Sequence, residues 1–465
     1  MSTSPHTPQG HPQRWLILGV ICLAQLTVLL DNTVLNVAIP SLTRELHAAT
    51  SDIQWMINAY SLVQSGLLLT AGSAADRYGR KKMLVTGLAL FGLGSLTAAL
   101  AGSTAQLIVA RAGMGIGGAL LMTTTLAVAM QIFAPEEQPK AIGIWAAVNA
   151  LGFAAGPLIG GFLLNHFWWG SIFLINLPVA ALGLVAAVVL VPESKAPRGD
   201  RPDLVGALLS TVGMAALVYA IIAGPVHGWT SPRVLVTAAV AVVVLGLFGY
   251  AESRVAEPML DPHFFRDRKF TGAVAGAVLI AFGMGGSLFL LTQHLQFVLG
   301  YEPLEAGLRT APLALTVVLL NFSGLAAKLS QRLGTPVSIA LGMALMALGL
   351  VSIAELDSGG YAGTLAGLVG IGAGAAVASP AMAHAIMSAI PPAKAGVGAG
   401  INGTLAEFGN GLGVAVLGAV LSSSLASGKS LSAGLGAGQL VGAAAVLTGG
   451  LLAAVLLRRA ERSVT

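Results

Sequence analysis

Three ionisable side chains, Asp31, Arg111 and Glu407, fall inside long apolar stretches of a chain in which only 9% of residues are charged. An ionised group deep in a bilayer costs roughly 2.5 to 3.5 kcal/mol on insertion scales, so a charge kept there needs a partner or a task. Asp31 lies about nine residues before the end of its apolar run, and Arg111 about five after the start of its own. At about 1.5 Å per residue the two reach similar depths, so an ion pair is geometrically possible. Burial disfavours the charge on Asp31 and Arg111 favours it, so a rearrangement of their contact would bind and release a proton. A static structural salt bridge is the plainer alternative. Glu407 lies about twelve residues into its run, roughly 18 Å in and near mid-membrane. It can attract an organic cation, take up a second proton, or sit neutral and hydrogen-bonded to a neighbouring helix.

The elements that must hold these residues are membrane-length helices. Hydrophobic residues make up 55% of the 465 positions, mean hydropathy is +0.84, and most of the chain divides into apolar runs of about 20 residues, the length that spans a bilayer. Fourteen spans are predicted: 15–39, 54–74, 83–102, 106–130, 141–164, 171–191, 204–224, 233–251, 271–294, 306–327, 335–354, 361–384, 395–421 and 438–457. The fold class is an all-α polytopic membrane protein. Residues 1–13 are polar and no small-residue cleavage site follows the first run, so the first span is expected to be retained.

An even count puts both termini on one side. With the N-terminus cytoplasmic, only Arg44, Arg233, Arg309 and Lys429 of the 24 Lys and Arg fall outside, Arg111 lies within a span, and the rest are inside. That asymmetry supports the count and predicts cytoplasmic termini. The basic excess then belongs to the inner membrane face, and nucleic-acid binding is unneeded. The lone Cys22 excludes an internal disulfide and a Cys-rich metal site. No metal-ligand cluster and no grouping of nucleophile, base and orienter is present, so neither a metal site nor an enzyme is expected.

The chain repeats at an offset of roughly 250 residues, as in transporters built from two similar halves. Gly143, Asn149, Gly156 and Gly160 share their spacing with Gly396, Asn402, Gly409 and Gly413, and residues 327–334 echo residues 72–79 in degraded form. Chance matching among 60 glycines is the bland alternative. The repeat divides the chain into an N-terminal six-helix bundle (1–192), a linker (193–203), an inserted helix pair (204–251), a second linker (252–270) and a C-terminal six-helix bundle (271–465).

Several motifs bear on identity. Gly72-Ser-Ala74-Ala-Asp76-Arg77-Tyr-Gly79-Arg80-Lys-Lys, a basic loop between the second and third spans, resembles the Gly-x-Leu-x-Asp-Arg-x-Gly-Arg-Lys loop of the major facilitator superfamily, with Ala74 in place of Leu. Leu30-Asp31-Asn32-Thr33-Val34-Leu35-Asn36-Val37-Ala38-Ile39-Pro40 resembles the first-span signature of that superfamily's fourteen-helix drug:proton antiporters. Trp55-Met-Ile-Asn58-Ala-Tyr60 and Gly300-Tyr-Glu302-Pro303-Leu-Glu-Ala306-Gly307 continue the likeness along nearly the whole chain. Gly152-Phe-Ala-Ala-Gly156-Pro157-Leu-Ile-Gly160-Gly161 resembles the antiporter motif of exporters. Arg111 matches the Arg of a fourth-span motif, Arg-x-x-Gln-Gly-x-Gly, implicated in proton coupling, with Met114 in place of the Gln. Where members often carry Arg-Gln, this chain has Ala406-Glu407, which makes the cavity more negative.

The resemblance implies a major facilitator fold and a proton-coupled exporter of drugs or other small lipophilic molecules, cations among them. It would be driven by the proton gradient without cofactor, monomeric, and resident in the plasma membrane. An exporter of a metabolite, a self-made antibiotic or a lipid shares every coupling motif, and a non-transporting receptor on the same scaffold is a remoter alternative. Gly72, Asp76, Arg77, Gly79 and Arg80 are expected to form a cytoplasmic gate, Asp76 capping a helix end or pairing with basic residues; an idle surface charge is the alternative. In the antiporter motif, small residues let helix backbones approach and Pro157 removes an amide donor, which permits a bend, or else simply packs. Asn36, Asn58, Tyr60, Gln64, Asn149 and Gln293 are candidate cavity-lining residues, each equally suited to interhelical hydrogen bonding. Gly113-x-Gly115-x-x-Gly118 follows no strand and is expected to be helix packing. Gly428-Lys429-Ser430 lacks the leading glycine of a phosphate-binding loop, so no ATP site is expected.

Overall fold

The computed structural model describes residues 12–134, 136–195, 202–255, 258, 262–355, 360–388 and 395–462. Among them there is no strand. The first half contains α1 (Arg14–Val37), α2 (Ile39–Glu45), α3 (Thr50–Tyr78), α4 (Arg80–Ala99), α5 (Thr104–Ile132), α6 (Gln138–His166), α7 (Ser171–Leu174) and α8 (Asn176–Leu190). Two helices follow, α9 (Leu204–His227) and α10 (Pro232–Glu252). The second half contains α11 (Arg268–Gln293), which runs into a π-turn at His294–Val298, then α12 (Pro303–Phe322), α13 (Leu325–Leu333), α14 (Thr335–Glu355), α15 (Tyr361–Ser388), α16 (Ala395–Ala426) and α17 (Leu431–Arg462).

Twelve of the fourteen predicted spans coincide with helices long and apolar enough, among the described residues, to cross a membrane. The other two spans are α3 and α6, each 29 residues long. Polarity sets α3 apart, because Gln54, Asn58, Ser61, Gln64, Ser65 and Thr70 are all buried along it. Such a helix spends its polar face on other helices rather than on lipid. Helix ends extend past the apolar runs where glycine, alanine and serine remain helical, so α17 begins at Leu431 rather than at 438. Side chains start several helices by accepting free amides: Ser103 from Gln106, Asp203 from Gly206, Ser231 from Val234 and Asp267 from Lys269.

Packing follows the repeat. In the first half α1 lies against α5, α6 and α8, and α4 against α5 and α8; in the second, α11 lies against α16 and α17, and α14 against α15 and α17. The halves meet along two seams, α3 with α16 and α6 with α12. α9 covers the first seam through a small cluster of Leu62, Val218, Ile222 and Ala415, while α10 packs on α9. The glycine repeat is geometric as well as sequential. Gly156 and Gly160 face Thr33 and Val34 of α1, and Gly409 and Gly413 face Val278, Ala281 and Phe282 of α11. The loop repeat holds too: Gly79 and Gly334 both adopt positive φ, 122° and 76°, and each closes one helix and opens the next. The side chain of Gln331 lies outside the described residues.

Gly115 and Gly118 of the GxGxxG sequence face the backbone and side chains of Tyr60 and Gln64, which is helix packing. The same helix gives a sharp test of that role. A Cβ at Gly117 would come within 2.7 Å of the Phe91 amide nitrogen and 2.9 Å of the Gly87 carbonyl, whereas Gly113 has nothing within 4 Å. Gly117→Ala is expected to cost about 1–3 kcal/mol by overpacking, and Gly113→Ala to cost nothing or to stabilise by up to about 1 kcal/mol through its helix propensity. Melting temperatures in detergent check this, and equal effects at the two positions would contradict the packing.

Candidate functional site

α1 and α5 bring Asp31 and Arg111 together in the interior of the first half, where they are 3% and 1% exposed. The Asp31 Oδ2 pairs with Arg111 Nη1. Arg111 Nε donates to the Met56 carbonyl at 3.1 Å, and its guanidinium lies 4.3 Å from the centre of the Tyr60 ring. The other Asp31 oxygen accepts from Asn176 Nδ2 at 3.5 Å, and Asn176 also donates to Ser95 Oγ at 3.2 Å. Met114, which stands where the motif has Gln, packs on Gly94 of α4 instead. A buried ion pair needs its remaining lone pairs and protons satisfied, and here helices α3, α4 and α8 supply the partners.

Glu407 reaches the same region from α16. It is buried, and its Oε2 accepts from Ser61 Oγ at 3.3 Å across the α3–α16 seam. Ser61 follows Tyr60 in sequence, and Tyr60 lies within electrostatic reach of Asp31, Arg111 and Glu407. Two buried acids from opposite halves therefore converge on one stretch of α3, Asp31 through Arg111 on the Tyr60 ring and Glu407 through Ser61. That arrangement can exchange a positive charge, because whatever neutralises one acid changes the hold of Arg111 on the other.

The remaining predicted lining residues divide by position. Asn36 lines a narrow cleft between the halves, together with Thr33, Pro157, Thr292 and Thr310, and its Oδ1 is buried without a hydrogen-bond partner. Asn58 is buried against Gly411 and donates to the Gln54 carbonyl at 2.9 Å. Gln64 donates to the Met122 sulfur at 2.9 Å, and Gln293 to the Phe289 carbonyl at 3.1 Å. Asn149 lies on α6, and its side chain is outside the described residues.

The antiporter motif puts α6 between two partners. Gly152, Gly156 and Gly160 face Leu26, Leu29, Thr33 and Val34 of α1. Pro157 and Gly161 face α12, where Gly307 lies against the Pro157 carbonyl and a Cβ at Gly161 would come within 2.5 Å of the Leu304 Cα. α1 and α12 are thus packed on one helix that joins the halves.

At the other end of α3, Asp76 Oδ1 accepts from Arg80 Nη2 at 2.7 Å and Nε at 3.0 Å, and Arg80 Nη1 donates to Gln131 Oε1 at 3.3 Å. Glu193 beyond α8 accepts from the Lys81 amide at 3.2 Å and lies against Gly79. Gly72 rests on Thr123 of α5, and Arg77 is exposed. Asp76 thus pairs with a basic residue, and these contacts lie within the first half.

Ser61, Asn176 and Ser95 were not among the predicted site residues. Their signal in the sequence is polarity within an apolar run, which many interhelical hydrogen bonds share.

Residues 21–414 match the Major Facilitator Superfamily. The chain is 38% identical over 430 residues to the methyl viologen resistance protein SmvA of Salmonella typhimurium, covering 91% of this chain and 86% of that protein. It is 35% identical over 453 residues to the multidrug efflux pump LfrA of Mycolicibacterium smegmatis, covering 97% and 89%. Its fold superposes on a crystal structure of the peptide transporter POT in complex with sulfate, with a TM-score of 0.72, 16% identity, and coverage of 97% and 96%. A shared fold, a family match across most of the chain and relatives similar over nearly their whole length agree: the chain belongs to the Major Facilitator Superfamily and is a multi-pass membrane transporter, not an enzyme.

Proposed function

We propose that this transporter is a proton-driven exporter of small lipophilic molecules, organic cations among them, which works as a monomer by alternating access. The observation that carries this reading is the buried Asp31–Arg111 pair, whose guanidinium lies on the Tyr60 ring, with the buried Glu407 held by the next residue of α3, Ser61. α3 and α6 join the twelve apolar helices as spans two and five, which makes fourteen crossings and places both termini in the cytoplasm by the excess of basic residues there. The relatives named for multidrug efflux and methyl viologen resistance support export, and methyl viologen is an organic dication.

Asp31 takes the proton. Once it is neutral, Arg111 loses its counter-charge inside the first half and is drawn towards Glu407 across the seam. A cationic substrate held by Glu407 then competes with Arg111 and leaves, so proton entry and cation exit become alternatives at one place. The movement passes to the rest of the molecule through α1, whose Thr33 and Val34 sit on the glycines of α6. Asp76 and its loop act on the cytoplasmic side as a gate, with Arg80 holding the carboxylate until it meets the second half.

Three substitutions test the roles separately. Asp31→Asn is expected to reduce uphill export in everted vesicles to background and to lower the melting temperature in detergent, since Arg111 loses its counter-charge, while the Met56 carbonyl and the Tyr60 ring still hold it in a folded protein; full export by this variant would sink the assignment. Asp76→Ala is expected to slow turnover about ten-fold with little change in substrate affinity, because the residue lies far from the cavity. A large loss of binding in detergent with unchanged turnover contradicts the gate. Glu407→Gln is expected to weaken export of cations such as methyl viologen about ten-fold more than export of neutral substrates, the effect of losing about 1.4 kcal/mol of direct attraction that only a cation feels. Equal losses for both classes remove Glu407 from the cation site.

A further inference from the structure

The segment 300–307 is distinctive in sequence, yet it is no part of the site described above. Its contacts explain it. The Asn165 side chain, at the end of α6, donates from Nδ2 to Glu302 Oε2 at 2.9 Å and accepts at Oδ1 from the Leu304 amide at 3.2 Å. One amide of the first half thereby grips both a side chain and the main chain of the second. Beneath it, Gly161 and Gly307 let α6 and α12 cross at backbone contact. Beside it, Gln296 Nε2 of the π-turn donates to the Val37 carbonyl at the end of α1 at 3.0 Å. All of these lie at the end of the bundle where α1 and α6 finish and α12 begins.

The second-half side of this clasp is rigid. Tyr301, next to Glu302, stacks on the Arg309 guanidinium at 4.0 Å, and Tyr361 stacks on the same group at 4.5 Å. Arg309 is held by Glu305 at 2.7 and 3.0 Å, and the Tyr361 hydroxyl donates to the Arg309 carbonyl at 2.7 Å. A jaw fixed before contact loses little freedom on closing, so a modest hydrogen bond decides whether it is shut.

We propose that Asn165 and the start of α12, Glu302 with the Leu304 amide, form the outer gate of the transport path, a clasp that holds the halves together while the path faces the cytoplasm and must part for it to open outwards. The inference rests on the alternating-access reading and on the orientation given above. Asn165 and Glu302 act here as positioning residues, through the helices they join.

The test reads conformation, not transport. Thr310 lines the cleft directly below the clasp and is 8% exposed, so a Cys there reports opening of the gate; the native Cys22 is buried. In intact cells, the rate at which T310C reacts with a membrane-impermeant maleimide is compared across Asn165→Asp, Glu302→Gln and the double variant. N165D sets a carboxylate against Glu302 and is expected to raise the rate about five-fold, the shift given by losing one net hydrogen bond. E302Q alone keeps an acceptor for Asn165 and is expected to stay within two-fold. The double variant N165D/E302Q reverses donor and acceptor, since the amide introduced at position 302 can donate to the carboxylate introduced at position 165, which still accepts from the Leu304 amide. It is expected to return the rate to within two-fold of the parent.

An unchanged rate in a folded N165D protein, or failure of the double variant to restore it, overturns the proposal. Should N165D fail to accumulate, Asn165→Ala removes both hydrogen bonds without adding charge, and an unchanged rate there overturns it equally. Labelling needs neither substrate nor gradient, so the clasp can fail while export and the effect of Asp31→Asn stand, and the reverse.

Discussion

A charge buried in hydrocarbon must be neutralised by something the protein supplies, and in this chain that requirement falls on Arg111. Its guanidinium is 1% exposed, and four groups from three helices converge on it: the Asp31 carboxylate, the Met56 carbonyl, the Tyr60 ring and, more remotely, Glu407. The cost of a stranded charge at this depth is several kcal/mol, larger than any single packing contact around it. The positions of α1, α3 and α5 are therefore not independent. Asn176 and Ser95 extend the same constraint to α8 and α4, because an acid that is partly solvated by side chains needs those side chains fixed.

The proposed cycle adds a second requirement, that this centre communicate with the halves as bodies. α6 meets it with small residues on two faces. One face carries Gly152, Gly156 and Gly160 towards α1, two and three residues along from Asp31 at Thr33 and Val34, and the other carries Pro157 and Gly161 towards α12. Backbone-to-backbone crossings of this kind leave no long side chain to take up slack, so a displacement of α1 cannot be absorbed locally and is passed on.

Much of this was legible in the sequence, for physical reasons that can be named. Asp31 and Arg111 were legible because an ionisable residue in an apolar run is rare and has few explanations. The repeat was legible because close helix crossings accept only small residues, so Gly156 and Gly160 had to reappear as Gly409 and Gly413. Gly79 and Gly334 were legible because positive φ selects glycine. The partners of Glu407 were not. Ser61 is one of several small polar residues on α3, and nothing in its own neighbourhood in the sequence indicates a partner 346 residues away. Asn165 and Glu302 were hidden for another reason: both are polar residues at helix ends, where polarity is the rule. The polar face of α3 also lowered its hydropathy, since burial against protein leaves no apolar signature of the kind that burial in lipid does.

The strengths of these contacts fit the proposed cycle. Asp31 and Arg111 lie within one half, so rocking the halves need not break their pair. Contacts that do cross the seams are modest: Gln54 to the carbonyls of Val414 and Ala415, Ser61 to Glu407, Gln296 to Val37, and Asn165 to Glu302 and Leu304. A bond between neutral groups is worth about 0.5–1.5 kcal/mol net and one to a carboxylate about 1.5–3, so the six together amount to roughly 5–12 kcal/mol. One proton falling through a membrane potential of about 100 mV releases about 2.3 kcal/mol, before any pH difference is added. The energy of a single coupling ion is therefore of the order of one or two of these contacts, so the proposed cycle needs the others to be replaced by new ones as the seams exchange. A seam made of buried ion pairs would be too costly to open at each turn, and one made of glycine contacts alone would have no preferred state to leave.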